Sequence, residues 1–530
     1  MANNKNGNGK YVEKSSKKVD VWRYKKYICK VKNLDIYTGS KVIVLNEDEA
    51  KEHDMYWGYR TQICTAKKEC TVAIVDVSNE LVKPGEIGIF KDVCKELRLK
   101  DGDKIEILHM DRPASIGYIK EKLDGKTLKP EEVDIIVKEI MDGKLSEIET
   151  SAWISAAYIR GFSDEEIVAL THATVNSGDK LNLGRSGICD KHCVGGVVGN
   201  RTTMLIVPII ACTDLYIPKT SSRSITSPSG TADTFEVLAD VEIPIEEMKK
   251  VVLKAHGAIV WGGGMNLAPV DDKLIKIRHP LSLDPEGMLL ASILGKKKCV
   301  GAENVIIDIP VGRGAKIPYV ERAQQLGDHF IKIGKTIGMN IEVLITDGAE
   351  PVGNGIGPGL ECRDVLQVLE GKGPDDLRHK GIFMSGKLLE LTKKCNIGKG
   401  YDIASDIIKS GKAMKKMQEI IALQGGNPKI KIDDLPIGQY TYDVKSERDG
   451  QIFHIDNKVI SKIARIAGAP RDKGAGVYVD KIRGDHVMKG DKLFTIYAES
   501  ETKLSFAIKA LEDLEPIEFR KMLLGMMNSS

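Results

Sequence analysis

From Tyr27 to about Arg112 the apolar positions come in short runs. "KVIVLNED", "CTVAIVDVS", "GEIGIF" and "DKIEILH" are separated by turn pairs such as Pro84-Gly85 and Asp101-Gly102. Runs of this length, rich in β-branched residues and bounded by turn formers, predict strands, and several in a row predict a small β-barrel module. Around Pro113 the period changes. "KPEEVDIIVKEIMDG", "SEIETSAWISAAYIRG" and "SDEEIVALTHATVNSG" place apolar residues at helical spacing. Ser146 and Ser163 stand where N-caps belong, with Glu149 and Glu166 three residues on as capping-box partners. These segments predict a packed helical domain.

From about Cys189 to Leu435 the apolar runs "MLIVPIIA", "AIVW", "NVIIDIPV" and "IEVLITD" alternate with helical or glycine-rich segments. The strand-like runs suit a buried, mainly parallel sheet. "LQGGNPKIKIDDLP" reads as a linker. From about Tyr440 strands return, with glycine-rich turns at "AGAPRDKGAG" and "RGDHVMKGD". No fixed-period repeat or heptad array is present. The predicted organisation is a tail (1–26), a β-rich domain (27–112), a core (113–435) and a C-terminal α+β domain (436–530).

Composition narrows the class. At 530 residues the chain is too long for one ordinary core. Hydrophobic residues make up 42% and charged residues 29%, the balance of a soluble globular protein. The net charge of +3 is the small difference between 78 basic and 75 acidic residues, which argues for neither nucleic acid nor a membrane surface as partner. No apolar run reaches the roughly 18–20 residues of a membrane span. The first residues, "MANNKNGNGKYVEKSSKK", lack the apolar stretch of a secretory signal and read as a disordered tail. Ten cysteines without disulfide-framework spacing point to a reducing cytoplasm.

Three stretches carry candidate chemistry. "DKHCVGGVVGNRTT", Asp190–Thr203, places Gly195 and Gly196 where backbone amides can approach an anion. The helix suggested by "RTTMLIVPII" would aim its positive end at the same place. Lys191 and His192 add charge and donors, and Thr202 and Thr203 add hydroxyls. The plainer reading is a tight turn with a solvated Lys and His; a metal reading of Cys189, His192 and Cys193 lacks a second Cys/His pair. "KTSSRSITSPSGTAD", Lys219–Asp233, offers hydroxyls and amides suited to phosphate or ribose oxygens, or else is a flexible linker. "IRHPLSLDPEGMLLASILGKK", Ile277–Lys297, sets Arg278, Asp284, Ser292 and Lys296 in an apolar context, with Ser292 and Lys296 on one helix face. The plainer alternative is a helix capped by Asp284. "IDIPVGRGAK" lacks the third glycine of a dinucleotide fingerprint, and no Walker A pattern occurs.

The order of these segments resembles the thymidine and pyrimidine-nucleoside phosphorylase family. "DKHCVGGV", "SSRSITSPSGTAD", "RHPLSLDPEGMLLASILGKK" and "VIIDIPVGRGA" follow one another as that family's motifs do. The helical opening from Ile116 and the segment "IARIAGAPRDKGAGVYV" resemble its first and last domains, so the likeness runs from about Ile116 to Ile508. The β-rich N-terminal block, "NRTT" and "SITSPSGTAD" resemble the archaeal AMP phosphorylase branch. The resemblance implies a multidomain α/β fold, with a helical domain beside a larger mixed α/β domain and an active-site cleft between them. It departs from nucleoside phosphorylases at Cys193-Val194, where they carry Ser-Thr, and by one extra residue between Gly196 and Gly199.

By that resemblance, Gly196, Ser222, Arg223, Ser224, Ile225, Thr226, Ser227, Thr231, Ser292 and Lys316 bind the nucleotide, and Asp284 is the proton donor. Lys191, His192, Thr203, Arg278 and Lys296 are second-rank candidates for phosphate or substrate. AMP, with CMP and UMP as further candidates, and inorganic phosphate are the implied partners, with no cofactor, no metal, no nucleic acid and no membrane, in a homodimer or larger homo-oligomer. An acid at the departing base lowers the barrier, and Asp284 could act so only if an apolar setting raises its pKa, for which Leu281 and Leu283 lie nearby in sequence. The incoming phosphate needs a preorganised anion hole, which the Gly195–Thr203 loop can help supply. A nucleoside phosphorylase, a phosphoribosyltransferase of similar architecture and a nucleotide sensor remain alternatives.

Overall fold

The computed structural model describes residues 27–110, 112–224 and 227–521. The expected N-terminal tail, and Ile225 and Thr226 of the serine-rich loop, lie outside them. The chain forms two compact units. One comprises the described residues up to Tyr118 together with Glu139–Thr150, the other Ile119–Lys138 together with the described residues from Ser151 onward.

The first unit contains a closed six-stranded barrel. Its strands are β1 (Tyr27–Asn33), β2 (Val42–Leu45), β3 (Arg60–Thr65), β4 (Cys70–Val77), β5 (Glu86–Ile89) and β6 (Lys104–His109), in the order β1-β5-β2-β4-β3-β6. Helices α1 (Glu47–Glu52) and α2 (Lys91–Leu97) lie between strands in the chain. In β1 the alternation is strict: Tyr27, Cys29 and Val31 are buried while Ile28, Lys30 and Lys32 are exposed. Ile43, Ile63, Ile87 and Ile105 fill the interior. Strands β1 and β3 were not among the expected runs, because Lys and Gln interrupt them at outward positions. The cysteines also depart from expectation. Cys64 and Cys70 form a disulfide, because the β3–β4 register sets them opposite each other with their Cα atoms 4.1 Å apart.

Four helices follow: α3 (Ser115–Leu123), α4 (Pro130–Met141), α5 (Glu147–Arg160) and α6 (Asp164–Asn176). Both expected caps form. The Ser146 hydroxyl accepts from the Glu149 N–H at 3.4 Å, and the Glu149 carboxylate accepts from the Ser146 N–H at 2.9 Å. Ser163 and Glu166 make the same reciprocal pair at the start of α6. Glu166 is itself buried and also accepts from Lys122 Nζ at 2.8 Å.

The α/β region runs β7 (Cys189–Cys193), α7 (Thr203–Ala211), β8 (Ile217–Ser221), α8 (Thr231–Phe235), α9 (Ile245–Ala255), β9 (Gly257–Trp261), α10 (Pro269–Arg278), α11 (Glu286–Cys299), β10 (Asn304–Val311), α12 (Val320–Thr336) and β11 (Asn340–Asp347). Its strands order as β11-β10-β7 and β8-β9, joined by a bridge between Ile188 and Tyr216, and every pairing is parallel. "MLIVPIIA" is the helix α7, buried at every position; an apolar run so uniform has no period to separate a buried helix from a strand. One apolar cluster joins Ile306 to α7 and to α13 (Pro358–Leu369), α14 (Asp375–Leu391), α15 (Gly400–Lys409) and α16 (Lys412–Leu423). The other joins Val305 and Ile307 to α11 and α12. The sheet therefore carries helices on both faces.

The C-terminal region is α+β. A sheet ordered β12-β15-β17-β13 comprises β12 (Gly355–Ile356), β13 (Tyr440–Lys445), β15 (Gly476–Val479) and β17 (Lys492–Ala498). A second joins β14 (Gly450–Ile455), β16 (His486–Val487) and β18 (Ile517–Phe519), with helices α17 (Asn457–Ile466) and α18 (Glu501–Ala510) beside them in the chain. Strand β12 comes from before the linker, so this sheet draws on both sides of residue 435. Among the described residues, no helix is long and apolar enough to cross a membrane.

Candidate active site

In an open parallel sheet, ligands bind outside the carboxyl ends of the strands, where the strand order reverses. Here the reversal falls between β7, from which the chain proceeds to β8 and β9, and β10, which returns to the other side of β7. The glycine loop leaves the carboxyl end of β7, the serine-rich loop that of β8, and Gly312–Lys316 that of β10. Gly196 has φ +94°, and a Cβ there would lie 2.3 Å from the Lys316 backbone nitrogen. Glycine at 196 lets the β7 and β10 loops touch, bringing together two residues 120 positions apart in sequence.

The motif "DKHC" is buried strand, not loop, and its alternation sorts the charges onto two faces. On one face Lys191 Nζ lies 3.5 Å from Asp308 Oδ2 and donates to Thr202 Oγ1 at 3.0 Å. Lys380, from α14, also lies 3.4 Å from Asp308 Oδ2. Asp308 accepts from Thr346 Oγ1 at 2.7 Å and from Asn200 Nδ2 at 3.3 Å. On the other face Asp190 accepts from Lys297 Nζ at 2.7 Å and lies 3.6 Å from Lys219 Nζ. His192 shares that face. Burial and the nearby Lys297, Lys219, Lys191 and Lys296 hold its imidazole well below the ordinary value, so it is neutral at pH 7. Each face thus sets two ammoniums on one carboxylate. Cys193 points away from His192 and toward Asp308; burial, with that carboxylate adding to it, pushes its thiol up to about 11. Cys189, His192 and Cys193 do not converge as metal ligands.

Thr203 is buried and opens α7, while Thr202 is held by Lys191 and Asn200. Arg201 joins the two loops: its guanidinium donates to Thr234 Oγ1 and to the Ser229 carbonyl and pairs with the buried Glu361. Asp233 organises the serine-rich loop by accepting from the backbone N–H of Ser224 at 2.7 Å and of Gly230 at 2.9 Å. Ser222 is exposed; Ser224 and Ser227 bond each other, and Thr231 opens α8 half-buried. Arg223 faces acids instead of open loop. It pairs with Asp233, Glu236 and Glu242 and lies 5.0 Å from the Trp261 ring centroid.

The third stretch forms the rim. Arg278 ends α10 and bonds Asp284 at 2.9 Å, and Lys316 pairs with the other Asp284 oxygen. The apolar setting expected for Asp284 is absent: Leu281 is 58% exposed, and two cations flank the carboxylate. Nor does Asp284 cap α11, whose N-cap is Pro285 with no side-chain bond. Ser292 and Lys296 do share a helix face, and both meet Asp271, at 2.7 and 2.6 Å. Burial opposes the Lys296 charge, yet Asp271 and Asp272 hold it above the usual ammonium range.

Lys219, Lys297, Asp308, Lys380 and Asp271 stand in the site without being among the residues expected from sequence. A readable signal existed for two of them: Asp308 interrupts "NVIIDIPV" and Lys219 sits in "YIPKTS", and a charge inside a buried strand needs a partner.

Comparison with known proteins places this fold and site in a class of pentosyl-transferring enzymes. Residues 116–178 match the helical bundle domain of a glycosyl transferase family and residues 185–414 its a/b domain, while residues 452–518 match the pyrimidine nucleoside phosphorylase C-terminal domain. Anthranilate phosphoribosyltransferase from Thermus thermophilus shares the fold, with a TM-score of 0.50 and 18% identity over 58% of this chain and 99% of that one. The AMP phosphorylase of Methanosarcina mazei is 44% identical over 93% of this chain and 97% of its own, and that of Pyrococcus furiosus is 44% identical over 94% and 99%. The chain belongs to the AMP phosphorylase family.

Proposed function

We propose that this enzyme carries out phosphorolysis of AMP, giving adenine and ribose 1,5-bisphosphate. The observation that carries the reading is the surplus of buried ammoniums at β7: Lys191 and Lys380 share Asp308, and Lys219 and Lys297 share Asp190. A buried, uncompensated cation is costly unless an anion completes it. Phosphate bound at the glycine loop supplies that charge, and the curated relatives bear the matching name. Phosphate is the co-substrate, and no cofactor enters the reading. CMP and UMP are further candidate substrates, and the enzyme is read as a cytoplasmic homo-oligomer.

In the reaction the bond from ribose C1′ to the base nitrogen breaks, a phosphate oxygen bonds to C1′, and a proton joins the departing base. The glycine loop and Lys191 hold the attacking phosphate, assisted by Thr203. Hydroxyls and amides of Ser222–Ser227 and Thr231 hold the nucleotide, with Ser292 and Lys316. His192 stays neutral, so it adds a hydrogen bond and no further charge. Asp284 is the donor, and the proton it passes to the base is balanced by the one that hydrogen phosphate loses on becoming an ester. The pairing of Asp284 with Arg278 and Lys316 must first open, and an arriving nucleotide phosphate offers Lys316 a stronger partner.

The test is product analysis with AMP in the presence and absence of phosphate. Adenine together with ribose 1,5-bisphosphate, formed only with phosphate, is the expected result. Adenine released equally without phosphate means a hydrolase. Activity restricted to uridine or thymidine means a nucleoside phosphorylase, and a requirement for Mg²⁺ and a ribose diphosphate donor means a phosphoribosyltransferase.

A further inference from the structure

We propose that Asn457, at the start of α17 in the C-terminal domain, is a positioning residue for the phosphate-binding glycine loop. The inference rests on the phosphorolytic reading above. Asn457 is 2% exposed and opens its helix. It is not needed to cap that helix, because the Asp456 carboxylate already accepts from the N–H groups of Lys458 and Val459 at 2.7 and 3.1 Å. Its amide serves two other elements instead. Oδ1 accepts from the Val198 N–H at 3.3 Å, and Nδ2 donates to the Gly348 carbonyl at 3.1 Å.

Those two backbones belong to the site. Val198 lies between Gly196 and Gly199, in the loop that leaves β7. Gly348 begins the segment after β11 against which that loop rests: a Cβ on Gly199 would lie 2.3 Å from the Val352 carbonyl oxygen. One buried side chain thus fixes the loop to its support. Losing it leaves a buried N–H and a buried carbonyl without partners, which displaces the loop or admits water.

The same domain also holds the opposite side of the loop. Arg313 forms two bonds to Glu518 of β18, at 2.6 and 3.0 Å, and a Cβ on Gly314 would come 3.8 Å from the Asn457 Cβ. Arg313 and Gly314 precede Lys316, whose backbone touches Gly196. Both segments that meet at Gly196 therefore take part of their geometry from the C-terminal domain.

The test is steady-state kinetics of the full chain, varying phosphate at saturating AMP and then AMP at saturating phosphate. Asn457→Ala should raise the KM for phosphate on the order of tenfold, the effect of losing one buried hydrogen-bonded anchor. The KM for AMP and kcat should each change less than about threefold. Asn457→Asp keeps the acceptor for Val198 and loses the donor to Gly348, so it should recover part of the phosphate affinity. A phosphate KM equal to wild type in a folded Asn457→Ala enzyme overturns the proposal, as do parallel rises in both KM values with a lowered Tm. If Asn457→Ala does not fold, the Asn457→Asp enzyme decides alone: its phosphate KM should exceed that of wild type while its AMP KM does not. A wild-type enzyme that releases no adenine with phosphate would instead break the functional reading; calorimetry with inorganic phosphate then decides this one, with weaker binding in Asn457→Ala supporting it and equal binding overturning it.

Discussion

Asp308, Asp190 and Asp284 are each shared by two cations, and burial separates them into two kinds. Asp308 with Lys191 and Lys380, and Asp190 with Lys219 and Lys297, have little exposed side-chain surface. Asp284 with Arg278 and Lys316 sits at the rim, its carboxylate 34% and its lysine 37% exposed. The stoichiometry is the same but the physics is not. In the interior, charges are held by packing and by hydrogen bonds that Asn200 and Thr346 donate to Asp308 and that Lys191 donates to Thr202, so they project a field toward the loops. At the rim, water screens the Lys316 pair, which holds weakly, while the buried Arg278 keeps its bond to the carboxylate. The deep groups are built to attract an anion, whereas the rim group is free to exchange partners when one arrives.

The largest expected effect tests the rim. Asp284→Asn keeps the shape but removes the transferable proton, so kcat should fall on the order of 10²–10⁴-fold, the usual span for a general acid. AMP binding should survive, because the hydroxyls of the serine-rich loop remain. The mutant should be least impaired on substrates whose leaving group needs no protonation. If Asp284 only pairs with Arg278 and Lys316, its loss costs little in either turnover or stability. Wild-type kcat in a folded Asp284→Asn enzyme would reduce the rim group to a surface ion pair.

The deep groups should show themselves through pH. Burial, with Lys297 and Lys191 adding to it, brings the Lys219 ammonium down to about 7 despite Asp190. In the unfolded chain this group titrates near 10.4. Between those two values the unfolded chain binds the extra proton, so stability from this group rises as pH climbs from about 7 toward 10, and is absent below 7. His192 acts in the acid range: its depressed folded value makes stability fall as pH drops below about 6.5. An anion at the site favours the charged form of Lys219. At pH 8, binding of sulfate, which does not titrate there, should therefore take up a proton. Calorimetry in buffers of different ionisation enthalpy reads this directly. The uptake should vanish in Lys219→Met, and equal uptake in both proteins would detach Lys219 from the anion site.

The same contrast explains what was legible in the sequence. The rim residues lie in one contiguous stretch, so Arg278, Asp284, Ser292 and Lys296 could be picked out together, and the i, i+4 spacing of Ser292 and Lys296 does place both on Asp271. The deep groups draw on β7, β8, β10, α11 and α14, and no local pattern joins Lys191 to Lys380 or Asp190 to Lys297. The capping boxes at Ser146 and Ser163 were readable because a cap is a local hydrogen bond. The strand "DKHC" was not, since polar residues give no apolar alternation, and its burial follows only from partners elsewhere in the chain. Asp284 was placed among leucines by adjacency in sequence, but Leu281 turns to solvent and the cations come from α10 and from the β10 loop.

The least change is expected where the local charge balance has the opposite sign. Arg223 was singled out with the serine-rich loop, yet it sits where acids outnumber cations: Asp233, Glu236 and Glu242 against Arg223 and Lys473. Arg223 is the first cause holding the Glu236 carboxyl down, to about 2, with Lys473 helping. Stability from that carboxylate is present above about 4.5 and is lost as pH falls toward 2. A cation already committed to an acidic surplus has little field left for phosphate, unlike the lysines at β7. Arg223→Gln should therefore leave the KM for AMP and for phosphate within about threefold of wild type. Its pairs are partly exposed and screened, so Tm should fall by only about 1–2 °C. The deficit should shrink further at acid pH, where Glu236 would have lost its charge in both proteins. A rise of about tenfold or more in the KM for AMP, at unchanged Tm, would show that Arg223 leaves its acids for the nucleotide, and that the sign of the local charge surplus does not decide which residues meet the substrate.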